Sequence, residues 1–250
     1  LRRLLTGKAF RDFVVTSVND RLLTKGARNP INLSYNHFLK LHNRKAEEDR
    51  ADMFTDLRPL IIKDIKRASG ELVSYVIENE LPYSEILTAE YTMMNSRLNT
   101  WLEGSADFSN QNENDTYKPS VIQGYYYSKD LRRTDYYPNQ NSLFEAVGSP
   151  LVDFPHAGLL TDFGFLSRYP TTATNRNRAR ARWAIFHFLG IDIEKSSERP
   201  TDEASLSDRN NPTMNNPNCT VCHSVLDPVA GAFQNWDENN FYRGSGDGSD

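Results

Sequence analysis

The chain has 250 residues and a formal net charge of −4 at pH 7, with 38% hydrophobic and 25% charged residues. This length suits one or two domains with a sizeable core, and the slightly acidic balance provides no global basic surface for nucleic acid. No apolar run approaches the roughly 20 residues that a membrane-spanning helix needs. The chain starts at Leu1 and ends in a Gly- and Ser-rich stretch, so we expect a processed or partial chain.

Hydrophobic periodicity predicts a mainly α-helical protein with long irregular loops. In residues 1–28, apolar side chains recur on one helical face. From Pro59 to Glu78 they recur mostly at steps of three and four, which is typical of an amphipathic helix. Pro59 suits the first position of this helix, and Gly70 is its weak point.

A second helix is predicted from Ser84 to Gly104, after a break at Pro82. With the preceding helix it would form a helical hairpin over about residues 59–103. The Tyr- and Asn-rich residues 104–142 indicate a long ordered loop or a short hairpin.

A third helix is predicted before the cysteines, with Thr174 or Asn175 as its N-cap and Gly190 as its end. Four arginines crowd its first half, where positive charge opposes the helix dipole, so we expect acidic partners for some of them. The coarse division is a helical region over residues 1–142 and a C-terminal region over residues 143–250.

Both cysteines of the chain lie in one motif, Cys219-Thr-Val-Cys222-His223. Covalent haem attachment fits best, because two thiols three residues apart can each bind a haem vinyl group while the adjacent histidine binds the iron. A zinc site needs further ligands at characteristic spacings, and a thioredoxin-type disulfide needs a strand–helix junction. The fourth alternative is a pair of incidental cysteines or a structural disulfide.

The residues after the motif also suit a flat prosthetic group. Asp227-Pro228 is predicted to end the helix that carries His223. Gly231 permits close approach of the backbone, and Phe233 and Trp236 could form walls of a haem pocket. Ordinary core packing is the simpler interpretation of either aromatic residue alone.

The stretch from Cys219 to Arg243 resembles the C-terminal motif of large cytochrome-c-like bacterial proteins, with the signature Cys-x-x-Cys-His-x-x-x-Asp-Pro-x-x-Gly. Residues 53–102 and 156–243 are similar to segments of the same family, including an arginine-bearing helix that ends in Leu-Gly. The resemblance implies a C-terminal cytochrome-c-like haem-attachment segment.

Carried to this sequence, the resemblance implies Cys219 and Cys222 as thioether attachments of one haem c and His223 as the proximal iron ligand. It also implies export to the periplasm or another extracytoplasmic compartment, because haem c is attached on the outer side of the cytoplasmic membrane. It does not imply a particular reaction.

A distal iron ligand is not evident, because neither Met nor His follows His223. Candidates lie upstream, namely Met214, His187, His156, Met93, Met94, Met53, His37 and His42. We favour a core position over ligation for Met94. The arginines of the third helix could bind haem propionates, but surface ion pairs are the preferred interpretation, with one or two of the arginines buried.

Three functions remain open at this point. The first is transfer of single electrons to a partner protein or other subunits of a complex, with a six-coordinate iron. The second is a peroxidase-like enzyme with an open distal side, and the third is a structural subunit of an exported assembly.

Overall fold

The computed structural model describes residues 7–27, 47–102, 104–110, 112–122, 125–126, 151–152, 154–198, 200–238, 240 and 242. Over this part of the chain helices predominate, and the strands form two short antiparallel pairs. The predicted mainly α fold class is therefore confirmed. Among the described helices, none is both long enough and apolar enough to cross a bilayer.

The chain divides into two compact units. The first contains the described residues up to Arg168 together with residues 240 and 242, and the second runs from Tyr169 to Glu238. The predicted boundary between residues 142 and 143 falls outside the described residues and stays a prediction.

Two helices that pack against each other form the base of the first unit, α1 (Lys8–Leu22) and α2 (Glu47–Glu78). A 3-10 turn at Thr24–Gly26 follows α1. The other elements of this unit are short: α3 (Glu85–Thr88), β1 (Thr92–Met94), α4 (Ser96–Leu102), β2 (Lys118–Ser120), β3 (Tyr125–Tyr126), β4 (Leu151–Val152) and α5 (Phe163–Arg168). β1 pairs with β2, and β3 pairs with β4.

The amphipathic pattern of α2 is confirmed by its buried face. The apolar residues on this face are Ile61, Ile65, Ala68, Leu72 and Val76. The predicted start at Pro59 is wrong, since the helix begins at Glu47 and contains the proline. A proline inside a helix loses one backbone hydrogen bond and crowds the carbonyl four residues before it, and the packing of α2 against α1 helps to offset this cost.

Close backbone contact holds α1 against α2. A Cβ atom added at Gly70 would lie 2.7 Å from the Cα atom of Val15. Arg11 of α1 also donates to both carboxylate oxygens of Glu78, at 3.1 and 2.6 Å. Gly70 is therefore a packing position between two helices, although the sequence alone indicates a weak point.

The predicted second helix of the hairpin is wrong as a continuous element. Between Ser84 and Gly104 the chain forms α3, β1 and α4 in turn. Asn95 explains the break, because its side-chain oxygen accepts the backbone N–H of Leu98 at 2.8 Å and so caps α4. Met93 and Met94 lie in the core on β1, which pairs with β2.

The second unit carries the cysteine motif. Its elements are α6 (Arg178–Ala184), a π-helical segment (Ile185–Leu189), a 3-10 turn (Ile193–Lys195), α7 (Glu203–Ser207), α8 (Pro212–Asn215) and α9 (Pro217–Gly231). The predicted third helix is thus present, and Gly190 ends it at φ 73°. It starts at Arg178 and not at Thr174 or Asn175, because Asn177 adopts a left-handed conformation with φ 65°.

Candidate functional site

The motif lies in the first half of α9. The Asn216 side chain accepts a backbone N–H of the first turn at 3.0 Å, and Pro217 occupies the first helical position. Cys219 and Cys222 are free and half-buried. Since residues three and four apart lie on one face of a helix, Cys219 shares a face with Cys222 and His223.

The helix continues beyond the predicted end at Asp227-Pro228 and reaches Gly231. Contacts of α9 with α6 and α8 stabilise it across the proline. A Cβ atom added at Gly231 would meet nothing within 4 Å, so no described protein group requires a glycine there. Its role beside a haem stays a prediction.

His223 is bound on one side by an acidic partner. Its Nδ1 lies 3.0 Å from Oδ1 of Asp227, one helical turn further along α9. Arg178 of α6 binds the same carboxylate in a bidentate manner, with Nε at 2.7 Å from Oδ1 and Nη2 at 3.0 Å from Oδ2. The result is a chain of three side chains, Arg178–Asp227–His223, which joins the two helices.

The charge state of Asp227 decides the direction of the hydrogen bond to His223. Burial alone would raise the pKa of Asp227, but hydrogen bonds from Arg178 and His223 hold it below its usual value. An ionised carboxylate can only accept hydrogen bonds. Nδ1 of His223 therefore donates the proton of this hydrogen bond, and Nε2 is the ring nitrogen that Asp227 does not contact.

Two residues of the α6 region hold the chain after α9 by its backbone. The side-chain amide of Asn177 donates to the carbonyl of Phe233 at 3.0 Å. The guanidinium of Arg180 donates to the carbonyls of Trp236 at 3.0 Å and Asp237 at 3.2 Å, and to the Asn177 side-chain oxygen at 2.8 Å. We call Asn177 and Arg180 the carbonyl clamp.

Phe233 and Trp236 are core residues of the second unit. Their exposed fractions are 5% and 3%. This burial supports the interpretation that each packs in the protein core, while a contact with haem stays a prediction.

The arginines of α6 have different partners. Arg182 forms the expected ion pairs, with Asp192 at 3.2 Å and Glu194 at 2.7 Å. Arg178 pairs with Asp227, and Arg180 is fully buried in the carbonyl clamp. Burial lowers the pKa of Arg180 to about 10, so it remains charged at neutral pH.

The thiol of Cys222 has polar neighbours, and the second unit exposes several large apolar side chains. The sulfur of Cys222 lies 3.5 Å from the carbonyl of Ile193 and 3.8 Å from the hydroxyl of Ser196. Several large apolar side chains of the second unit are at least half exposed: Leu189, Ile191, Leu206, Met214, Val221 and Val225. Val221 and Val225 belong to α9 itself.

His187 lies in an aromatic cluster on the π-helical segment. Its Nε2 lies 2.8 Å from the hydroxyl of Tyr169, and its ring stacks on Trp183 with centroids 5.3 Å apart. These contacts suit a structural histidine, and its role as a distal ligand is a prediction that no contact here tests.

The other distal candidates differ in their surroundings. Met214 on α8 is 76% exposed. His156 belongs to the first unit, and its Nε2 accepts the backbone N–H of Ile122 at 3.1 Å. Burial lowers the pKa of His156 to about 4, so its ring is neutral at physiological pH. His37, His42 and the side chain of Met53 lie outside the described residues.

The donor set of α9 fits a covalently attached haem. Two free thiols could supply the attachment atoms, and Nε2 of His223, the nitrogen that Asp227 does not contact, could bind the iron. Within the described residues, no group of three or more His, Cys, Asp or Glu side chains could hold a metal ion. A haem brings its own four nitrogen ligands, so it needs no such group from the protein.

Residues 156–245 match the family PSCyt3, described as a protein of unknown function (DUF1588). The name is cytochrome-like, and the match covers the second of the two segments on which the resemblance rests. The first, residues 53–102, lies outside the matched range. No curated protein and no solved structure matches this chain.

Sequence reasoning identified the motif but missed Asp227, Asn177 and Arg178 as individual partners. The separation of four residues between His223 and Asp227 is a signal visible in the sequence, because such pairs meet on a helix. Arg178 lies 49 residues before Asp227 in the chain, and only the packing of α6 against α9 reveals their contact.

Proposed function

We propose that this chain is a monohaem c-type cytochrome module that transfers single electrons. The observation that carries the proposal is the arrangement on α9, where two free thiols precede an imidazole whose second nitrogen is already bound by Asp227. The haem iron, once bound, supplies the single-electron couple. The protein supplies attachment and orientation.

The thiols attach the group by addition. Each S–H bond of Cys219 and Cys222 adds across one vinyl double bond, so that sulfur binds one carbon and hydrogen the other, with no leaving group. Val221 and Val225 are also exposed on α9, but Val221 lies two residues from both Cys219 and His223 and therefore on a different face from the attachment atoms.

Among the distal candidates of the second unit, Met214 is the better sixth ligand. His187 already shares its Nε2 with Tyr169, whereas the Met214 side chain is exposed on the helix next to α9. A methionine ligand favours a higher reduction potential and a role in electron transfer.

The surrounding system follows from the chemistry of the haem c linkage. We infer export to the periplasm or another extracytoplasmic compartment, where the thioethers form. A single haem must receive and pass on its electron, so we infer a redox partner protein or other subunits of a complex.

An absorption spectrum tests the proposal directly. The protein is made with its native maturation machinery and measured oxidised and dithionite-reduced, with and without carbon monoxide, and the pyridine haemochrome gives the haem content. We expect sharp reduced c-type bands that carbon monoxide leaves unchanged, with one haem per chain. The double variant Cys219→Ala/Cys222→Ala is the control and should lack covalent haem.

Two other outcomes of the absorption measurement would contradict electron transfer by a six-coordinate haem. Bands that shift with carbon monoxide indicate an open iron and favour the haem-enzyme alternative. A wild-type protein without haem bands overturns the proposal and its reading of Cys219, Cys222 and His223.

A further inference from the structure

The chain Arg178–Asp227–His223 has a geometry that attachment of a haem alone does not require. A free histidine would suffice as iron ligand, yet this ring is fixed through Nδ1 by a carboxylate at 3.0 Å. The carboxylate is in turn held by both ends of a guanidinium fork, at 2.7 and 3.0 Å. The inference below rests on the proposed function.

A carboxylate that accepts the Nδ1 proton changes the ligand in two ways. It fixes the rotation of the imidazole ring, and it makes Nε2 more basic. A more basic ligand with a nearby negative charge stabilises the ferric state relative to the ferrous state, because the ferric iron carries one more positive charge.

We propose that Asp227 is a positioning residue that orients His223 and lowers the reduction potential of the iron. Arg178 limits this effect, because its positive charge partly neutralises the negative charge of Asp227. The two residues therefore act in opposite directions through one carboxylate. Removing Asp227 raises the potential, and removing Arg178 lowers it.

Substitutions of matched shape test the proposal by potentiometric titration of the haem-loaded protein. Asp227→Asn keeps the size of the side chain and an acceptor oxygen but loses the charge, so we expect a higher potential. Arg178→Gln leaves the Asp227 charge uncompensated, so we expect a lower potential. Electron paramagnetic resonance g values of the ferric state, which report the ligand ring, should change in the Asp227→Asn variant.

The double variant separates this route from a general effect of charge. If Arg178 acts through Asp227, Arg178→Gln should shift the potential in the wild-type background and not in the Asp227→Asn background. Arg182→Gln is the matched control, since Arg182 is a paired arginine on the same helix. We expect it to shift the potential less than Arg178→Gln does.

Haem content distinguishes failure of this inference from failure of the proposed function. A wild-type protein without haem overturns the proposed function. A loaded Asp227→Asn protein with an unchanged potential, or an Arg178→Gln shift that persists in the double variant, overturns the role of Asp227. If Asp227→Asn takes up no haem, the comparison of Arg178→Gln with Arg182→Gln decides: a larger fall in potential for Arg178→Gln supports the inference, and equal shifts overturn it.

Discussion

Arg178 and Arg180 lie two residues apart on α6 and bind different kinds of partner. Arg178 binds a half-exposed carboxylate, whereas Arg180 is fully buried and donates to backbone carbonyls. A buried charge without hydrogen bonds would be strongly unfavourable, and the carbonyl clamp supplies those bonds. The expectation of acidic partners is therefore right for Arg178 and incomplete for Arg180.

His156 gives the first unit a dependence on pH. Its folded pKa, about 4, lies below the ordinary value of 6.5 because of burial. As the pH falls, the unfolded chain therefore binds a proton at His156 before the folded chain does. The contribution of His156 to the free energy of unfolding is fully present above pH 6.5 and is lost as the pH falls toward 4. The loss is of the order of 2–3 kcal/mol.

His156→Gln should remove that dependence. Glutamine keeps an acceptor for the N–H of Ile122 and does not titrate in this range. We expect the urea midpoint of the wild type to fall more steeply than that of the variant between pH 6.5 and 4. Parallel curves for the two proteins would show that His156 does not titrate on unfolding.

Among the elements, local periodicity predicted those that depend on a long apolar face. α2 follows its pattern because one face packs on α1. The stretch from Ser84 to Gly104 has similar spacing, yet Asn95 caps a new helix there and β1 pairs with β2. That strand partner comes more than 20 residues later, and such pairings are not contained in a local pattern.

The candidate site shows the same limit. Chemistry within one helical turn was visible in the sequence, as the spacing of Cys219, Cys222 and His223 shows. Contacts between α6 and α9 were not, because a run of alternating arginines does not reveal which of them faces a neighbouring helix. Sequence reasoning therefore grouped the three side chains of the motif and missed the residues that contact them from α6.

Gly70→Ala should destabilise the protein although alanine is the better helix former. Alanine favours the helix by about 1 kcal/mol, but its Cβ would lie 2.7 Å from the backbone of Val15, and overpacking of this kind costs about 1–3 kcal/mol. We expect a lower melting temperature by circular dichroism.

Gly231→Ala is the matched control for this prediction. The same exchange in α9 meets open space, so in the haem-free Cys219→Ala/Cys222→Ala background the melting temperature should stay the same or rise slightly. A Gly70→Ala protein that melts at or above the wild-type temperature would contradict the close approach of α1 and α2.

At the scale of the whole molecule, the two units and the proposed haem together predict which helices lose stability when the haem is absent. A group that binds only the folded state stabilises the unit that holds it. We expect amide hydrogen exchange in α8 and α9 to be faster in the Cys219→Ala/Cys222→Ala variant than in the haem-loaded wild type. Exchange in α1 and α2 should be unchanged, because these helices form the other unit.

Mass spectrometry of peptic peptides measures both units in one sample, so α1 and α2 serve as the internal control. Equal acceleration in α2 and α9 would show that the chain opens as one cooperative body. An unchanged α9 would show that haem does not stabilise its own attachment helix.

The carbonyl clamp has a consequence for how this region tolerates substitution over evolution. Asn177 and Arg180 bind main-chain oxygens of Phe233, Trp236 and Asp237, and every amino acid carries such an oxygen. The clamp thus fixes the path of the chain after α9 through atoms that no substitution removes, while burial in the core constrains the side chains of Phe233 and Trp236. At Asn177 the side chain itself is required, since few residues adopt its left-handed conformation while offering both a donor and an acceptor. We therefore expect an apolar substitution of similar volume at Phe233 to be tolerated better than a substitution at Asn177.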